Sequence, residues 1–272
     1  MVSSGKDVTQ VMRCCFSTLG CPEWNLTRIA DRAKHYGFDG VELRIDGKKH
    51  IDPSMSGSER AAVKRLFADA GLAVAAISGY TQFAGDDLSA LRVQHDNLIR
   101  NIDLAHDIGA PYVRTFICGA DGGVFCADGA RALHSAGERA KAQGVTVLIE
   151  THDALTDSGE RTKALLDAVD SEGVAALWDM HHTLRHHETP EETYAALGTA
   201  IKHTHLKDAD ANHALCLPGE GSLPIGKVIR VLSDHGYQGF LSFEWEKMWV
   251  SGLQEPEIAF PRFMEHIRSL SR

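Results

Sequence analysis

VTVLIE, residues 145–150, is an apolar, β-branched run that ends in a carboxylate, and the same design recurs three more times further along the chain. VAALWD at 174–179, IKHTHLKD at 201–208 and GFLSFE at 239–244 each carry a metal-competent side chain at or near the end of the run. The four residues are Glu150, Asp179, His205 and Glu244. Short apolar runs bounded by turn signals read as buried strands. The intervals between them leave room for one helix each, so the four side chains are expected to project from the same ends of neighbouring parallel strands.

The alternation continues outward to both ends of the chain. Strands are expected at Arg13–Ser17, Gly40–Leu43, Leu72–Ser78, Tyr112–Ile117, Val145–Glu150, Ala175–Asp179, Ile201–Leu206 and Phe240–Glu244. Between them lie stretches of helical period, among them LTRIADRAKHYG (26–37), SERAAVKRLFADAG (58–71), LRVQHDNLIRNIDLAHDIG (91–109), ARALHSAGERAKAQG (130–144) and GKVIRVLSDHGYQG (226–239). Gly37, Gly71, Gly109, Gly144 and Gly236 stand where left-handed C-terminal caps are expected. No proline-rich or serine-rich linker interrupts the series. Eight strand-helix units therefore predict an α/β chain folded as a single (β/α)8 TIM barrel over residues 1–272, preceded by a polar, flexible leader at 1–10. Catalytic groups in such a barrel sit at the carboxyl ends of the strands, where all four candidates fall.

Composition narrows the function classes. A chain of 272 residues that is 43% hydrophobic can bury one large core. The 28 basic against 37 acidic residues give a net charge of -9, which disfavours nonspecific attraction to phosphate backbones or anionic membranes. We expect no nucleic acid and no membrane among the partners; a homo-oligomer is compatible with the sequence. The six cysteines, Cys14, Cys15, Cys21, Cys118, Cys126 and Cys216, form no CxxC pair, so they read as reduced thiols, with Cys14 and Cys15 as packing residues. With no apolar leader segment, the expected location is the cytoplasm.

Three carboxylates and an imidazole form a hard donor set suited to one divalent metal ion, Mn²⁺ or Mg²⁺, and tolerant of Co²⁺ or Zn²⁺. Carboxylates crowded together are unfavourable unless a cation neutralises them. His182 follows Asp179 by three residues, in a position to bind a substrate oxygen, whereas His181, His186 and His187 read as solvated loop histidines. His203 and Lys207 share the strand face of His205. His203 is expected to support the layer beneath; Lys207 either holds an anionic intermediate or is an ordinary exposed lysine. Arg44 and Arg114, at strand ends, are candidate substrate clamps, with pairing to Glu42 or Asp46 as the structural alternative. Glu220, in PGEG at 218–221, is a further candidate substrate contact.

VELR at 41–44, LIETHD at 148–153, WDMHH at 178–182, HTHLKD at 203–208, PGEG and FEWEKMW at 243–249 together resemble the xylose isomerase-like barrel superfamily, in its sugar isomerase/epimerase branch. The resemblance runs over nearly the whole chain. It implies that Glu150, Asp179, His205 and Glu244 bind one divalent metal, commonly Mn²⁺. It also implies that Glu150 and Glu244 face opposite sides of a bound ketose as base and acid, and that His182 contacts substrate. A metal chelated by a carbonyl and its neighbouring hydroxyl acidifies the C–H between them and stabilises an enediolate, so two glutamates suffice to remove and return a proton. The expected function is thus a sugar isomerase or epimerase acting on a ketose or keto-polyol. Where ketose 3-epimerases of the family place an arginine six residues after the histidine ligand, this chain has Ala211, which points away from free ketoses. A lyase or dehydratase, including one that cleaves O- or C-glycosides, shares the first half-reaction and is the main alternative. An abasic-site endonuclease would need further ligands where this chain offers Ser78, Thr115 to Ile117 and His203. A sugar-binding barrel without catalysis would not require both Glu150 and Glu244.

Overall fold

The computed structural model describes residues 12–47, 49–117 and 124–270; the leader at 1–10 and Cys118 lie outside them. In chain order the strands are β1 (Arg13–Ser17), β2 (Gly40–Arg44), β3 (Ala73–Gln82), β4 (Tyr112–Phe116), β5 (Thr146–Glu150), β6 (Val174–Asp179), β7 (Ile201–Leu206), β8 (Asp208–Ala209), β9 (Leu215–Cys216) and β10 (Phe240–Phe243). Eight of them close into a parallel barrel in the order β1-β10-β7-β6-β5-β4-β3-β2, the (β/α)8 architecture that the alternation predicts. The remaining two, β8 and β9, pair as an antiparallel hairpin just beyond β7.

Helices Leu26–Tyr36, Gly57–Asp69, Leu88–Ile108, Ala127–Ala142 and Ile225–Asp234 coincide with the periodic stretches. All five expected glycines adopt positive φ, between 69° at Gly144 and 83° at Gly37. Helices at Gly159–Val169, Met180–Arg185, Pro190–Leu197 and Pro256–Leu270 complete the ring. Strand β3 runs past the expected end at Ser78 to Gln82, with an irregular register between those two residues. Gly79 sits in that irregular stretch because a Cβ there would lie 2.7 Å from the carbonyl oxygen of Arg114.

Strand periodicity sorts the barrel into an apolar outside and a polar inside. Val41 and Leu43 of β2, Val147 and Ile149 of β5, and Leu241 and Phe243 of β10 join the main apolar core between sheet and helices. Their alternate neighbours Glu42, Glu150 and Ser242 are buried but point the other way, into the barrel, as do His203 and His205 on β7. The C-terminal helix fixes the seam. Its Phe260 stacks on Phe16 of β1 at 4.2 Å between ring centroids, and its Phe263 stacks on Phe243 of β10 at 4.6 Å. Phe243 immediately precedes Glu244, so this packing sets where that carboxylate leaves the strand. Among the described residues no helix is long and apolar enough to cross a membrane.

Candidate active site

The ends of β5 and β6 are tied to each other by one side chain. Thr151 Oγ accepts from the Asp179 N–H at 2.8 Å and donates to the Asp179 carbonyl at 3.1 Å. Asp179 in turn caps the helix Met180–Arg185, its Oδ1 accepting from the His181 N–H at 2.9 Å. Glu244, one residue beyond β10, is fixed by its N–H donating to the Leu206 carbonyl at 3.0 Å. These local bonds bring Glu150, Asp179, His205 and Glu244 together: one donor atom from each lies within 4.8 Å of the others. His205 Nδ1 is 2.7 Å from Glu150 Oε1, 3.2 Å from Glu244 Oε1 and 3.9 Å from Asp179 Oδ2. All four residues are buried.

So many buried carboxylates need positive charge, and the protein supplies it from three side chains. Burial alone would lower the His205 pKa, but the charges of Glu244, Glu42 and Glu150 outweigh it and hold the imidazole well above its ordinary value. Arg114 Nη1 lies 3.2 Å from Glu150 and 3.5 Å from Glu244. Against burial, Arg114 and His205 lower the Glu150 pKa, and His205 and Lys207 hold Glu244 well below the carboxylate range. Asp179 is less well compensated. Burial pushes it up to about 6 despite Lys207, and its Oδ2, 2.8 Å from Lys207 Nζ, is left without hydrogen-bond geometry. An under-satisfied buried carboxylate oxygen, two more carboxylates and an imidazole nitrogen aimed at one point fit a divalent cation, which would take the place of the His205 proton.

The neighbours fall unevenly against the expectations. Lys207 is not an ordinary exposed lysine: it is wholly buried, in contact with Glu244, 2.8 Å from Asp179 and 2.6 Å from Glu246. Arg44 pairs with Asp46 at 3.1 Å rather than with Glu42. His182 lies on a short helix rather than a loop, and its Nε2 is 3.8 Å from Asp179 Oδ2. His181 is corrected from a solvated loop residue: it is buried on the same helix, where burial and Lys207 lower its pKa to about 4. His186 and His187 are exposed as expected. Glu220 is exposed on its loop and does not line the cavity at the candidate site.

That cavity, about 150 Å³, opens at the carboxyl ends of the strands and is walled by Tyr80, Arg114, Phe116, His152, His182 and Trp249, among others. A larger space of about 680 Å³ lies at the opposite end, lined by the first residues of strands such as Arg13, Ala73, Tyr112 and Phe240, and holds none of the candidates. Sequence reasoning passed over His152, whose ring lies 4.4 Å from that of His182, although it stands two residues after Glu150 on the same strand-end register. It also passed over Glu246, which has the same spacing from Glu244, and gave Glu42 only a structural part.

The barrel fold agrees with what the chain is similar to. A sequence profile of the family described as xylose isomerase-like TIM barrel matches residues 30–270. The chain is 25% identical over 260 residues to fructoselysine 3-epimerase of Shigella flexneri, covering 88% of this chain and 90% of that protein. It is 27% identical over 225 residues to 3-dehydroshikimate dehydratase of Pseudomonas aeruginosa, covering 76% of this chain but only 34% of that longer protein. Among solved structures, D-allulose 3-epimerase from Methylomonas sp. superposes with a TM-score of 0.76 at 17% identity, covering 95% of this chain and 98% of the other, which speaks to the fold.

Proposed function

The chain belongs to the xylose isomerase-like TIM barrel family, and from that premise we propose that it is a divalent-metal-dependent sugar isomerase or epimerase acting on a small ketose or keto-polyol. The observation that carries this reading is the convergence of Glu150, Glu244 and Asp179 on His205 Nδ1 at the carboxyl end of the barrel. Those four side chains would hold one ion, with Mn²⁺ the first choice for a set of hard oxygens and one imidazole. When bound, the ion would acidify the C–H beside a chelated carbonyl. One glutamate takes the proton from that carbon and the other returns one to the opposite face, which inverts the centre. Arg114, paired with both, keeps them ionised and oriented. His182, whose pKa burial, Lys207 and His152 push well below the ordinary value, stays neutral and can accept from or donate to a substrate hydroxyl. Tyr80, Phe116 and Trp249 line the cavity and offer apolar faces to a substrate there.

A second reading is favoured by the buried Lys207 ammonium beside Glu244 and by the dehydratase among the relatives. In it one glutamate removes the same C–H proton and a double bond forms as the β C–O bond breaks. The leaving hydroxyl takes a proton from a glutamate and departs as water, and the Lys207 ammonium steadies the developing negative charge. Incubating the Mn²⁺-loaded protein in deuterium oxide with ketoses, keto-inositols, keto-glycosides and 3-dehydroshikimate, read by NMR and product chromatography, separates the two. Deuterium at an inverted carbon supports epimerisation; release of water or an aglycone supports elimination. No turnover of any of them would reject both.

His182→Ala should retain metal and lose most turnover, while His187→Ala, on the exposed side, should change neither. Loss of metal from His182→Ala would move that imidazole from substrate contact to ligand.

A further inference from the structure

Beneath the four candidate ligands lies a second buried cluster, Glu42, His203 and His205, whose donor atoms also fall within 4.8 Å of one another. Its bonding differs from that of the first. The Glu42 carboxylate, wholly buried on β2, accepts from His203 Nε2 at 2.9 Å, from Ser242 Oγ at 3.0 Å and from Ser78 Oγ. It also faces His205 Nε2 at 3.0 and 3.1 Å. Four donors fill the oxygens of one carboxylate, so this cluster is a hydrogen-bonded floor rather than a second ion site.

We propose that Glu42 is the positioning residue of the site: it fixes the Nε2 proton of His205 and so directs the Nδ1 lone pair at the point where Glu150, Asp179 and Glu244 meet. The inference rests on reading those residues as a metal site. An ionised carboxylate can only accept, so whatever faces it must donate. In the metal-free chain Nδ1, 2.7 Å from Glu150 and 3.2 Å from Glu244, donates by the same rule; a cation bound among those carboxylates would displace that proton, while the Nε2 proton stays on Glu42. The imidazole spans the barrel between two carboxylate layers. The lower layer sets its tautomer and tilt, and raises its basicity as a ligand. Ser242, Ser78 and His203 hold the carboxylate itself in place, so the geometry is imposed from three strands, β10, β3 and β7, at once.

Glu42→Gln replaces an acceptor-only group with one that also presents an N–H pair, and removes the charge. Chelator competition should show Mn²⁺ bound about 10–100-fold more weakly than by the wild-type chain, the usual effect of losing an outer carboxylate. Ser242→Ala, which removes one of the groups holding Glu42 but leaves His203, Ser78 and the contact with His205, should weaken Mn²⁺ binding by less than Glu42→Gln does. The thermal midpoint of each metal-free variant is measured alongside. A lowered midpoint with unchanged Mn²⁺ affinity in Glu42→Gln would make Glu42 merely structural and overturn the proposal. The wild-type chain provides a test that needs no variant: with ¹⁵N-labelled histidine and ¹¹³Cd²⁺, the coupled nitrogen of His205 should be Nδ1, with Nε2 still protonated. Coupling at Nε2 would overturn the proposal. If the wild type binds neither Mn²⁺ nor Cd²⁺, the metal reading falls and this inference falls with it, an outcome distinct from a metal site indifferent to Glu42.

Discussion

Glu150→Gln or Glu244→Gln should lower turnover by about 10²–10⁴-fold, the range that a positioned general acid or base contributes. The amide keeps an oxygen that can face a cation but cannot take up or return a proton at neutral pH. Both glutamates are also candidate ligands, so the metal content of each variant has to be measured before the loss is read as proton transfer. Arg114 Nη1 lies within 3.5 Å of both carboxylates, so either substitution also frees part of that guanidinium. A control at Arg114 separates the two effects: Arg114→Lys keeps the charge while losing the fork, and should fall by less than either glutamine variant. Turnover within about tenfold of wild type, with full metal occupancy, in either glutamine variant would remove that glutamate from the acid–base pair.

The fold was legible because its two signals are local. Runs such as VTVLIE and GFLSFE alternate between a face that joins the outer core and a face that does not, and glycines such as Gly37 and Gly109 stop the helices where the chain must turn back. The four candidate ligands were legible for the same reason: each sits at the end of such a run, and a parallel barrel brings run ends together. What escaped depends on contacts between strands distant in sequence. Glu42 is separated from His205 by 163 positions, and nothing in VELR says whether its glutamate pairs with Arg44 or with a histidine across the barrel. The parity of β2 is what decides it, because Glu42 and Arg44 point inward together, while Arg44 lies one step higher and meets Asp46. The burial of His181 is not visible in the sequence because a short helix, nucleated by the Asp179 cap, replaces the loop that the polar stretch suggests. For Lys207 no local pattern distinguishes a solvated lysine at a strand end from one enclosed by carboxylates from β6 and the segment after β10.

Lys207→Met should be the most destabilising single change at this end of the barrel. The ammonium is wholly buried among Asp179, Glu244 and Glu246, and removing one partner of such a group leaves uncompensated charge at about 3–5 kcal/mol. Unfolding of the metal-free chain by denaturant measures the loss. The pH dependence has a definite sign. Asp179, pushed up to about 6 by burial even with Lys207 beside it, should rise further when the ammonium goes. A carboxylate whose folded pKa exceeds its unfolded value destabilises the fold progressively as pH rises between the two, and fully above the folded one. The deficit should therefore be larger at about pH 8 than at about pH 5. Mn²⁺ should restore more stability to Lys207→Met than it adds to the wild type, because a cation shared by Asp179 and Glu244 supplies the charge that the lysine gave. Equal stabilisation of both proteins would mean that ion and ammonium do not draw on the same carboxylates. A metal-free variant as stable as the wild type at about pH 8 would mean that those carboxylates are already protonated, and the electrostatic account of this site would have to be abandoned.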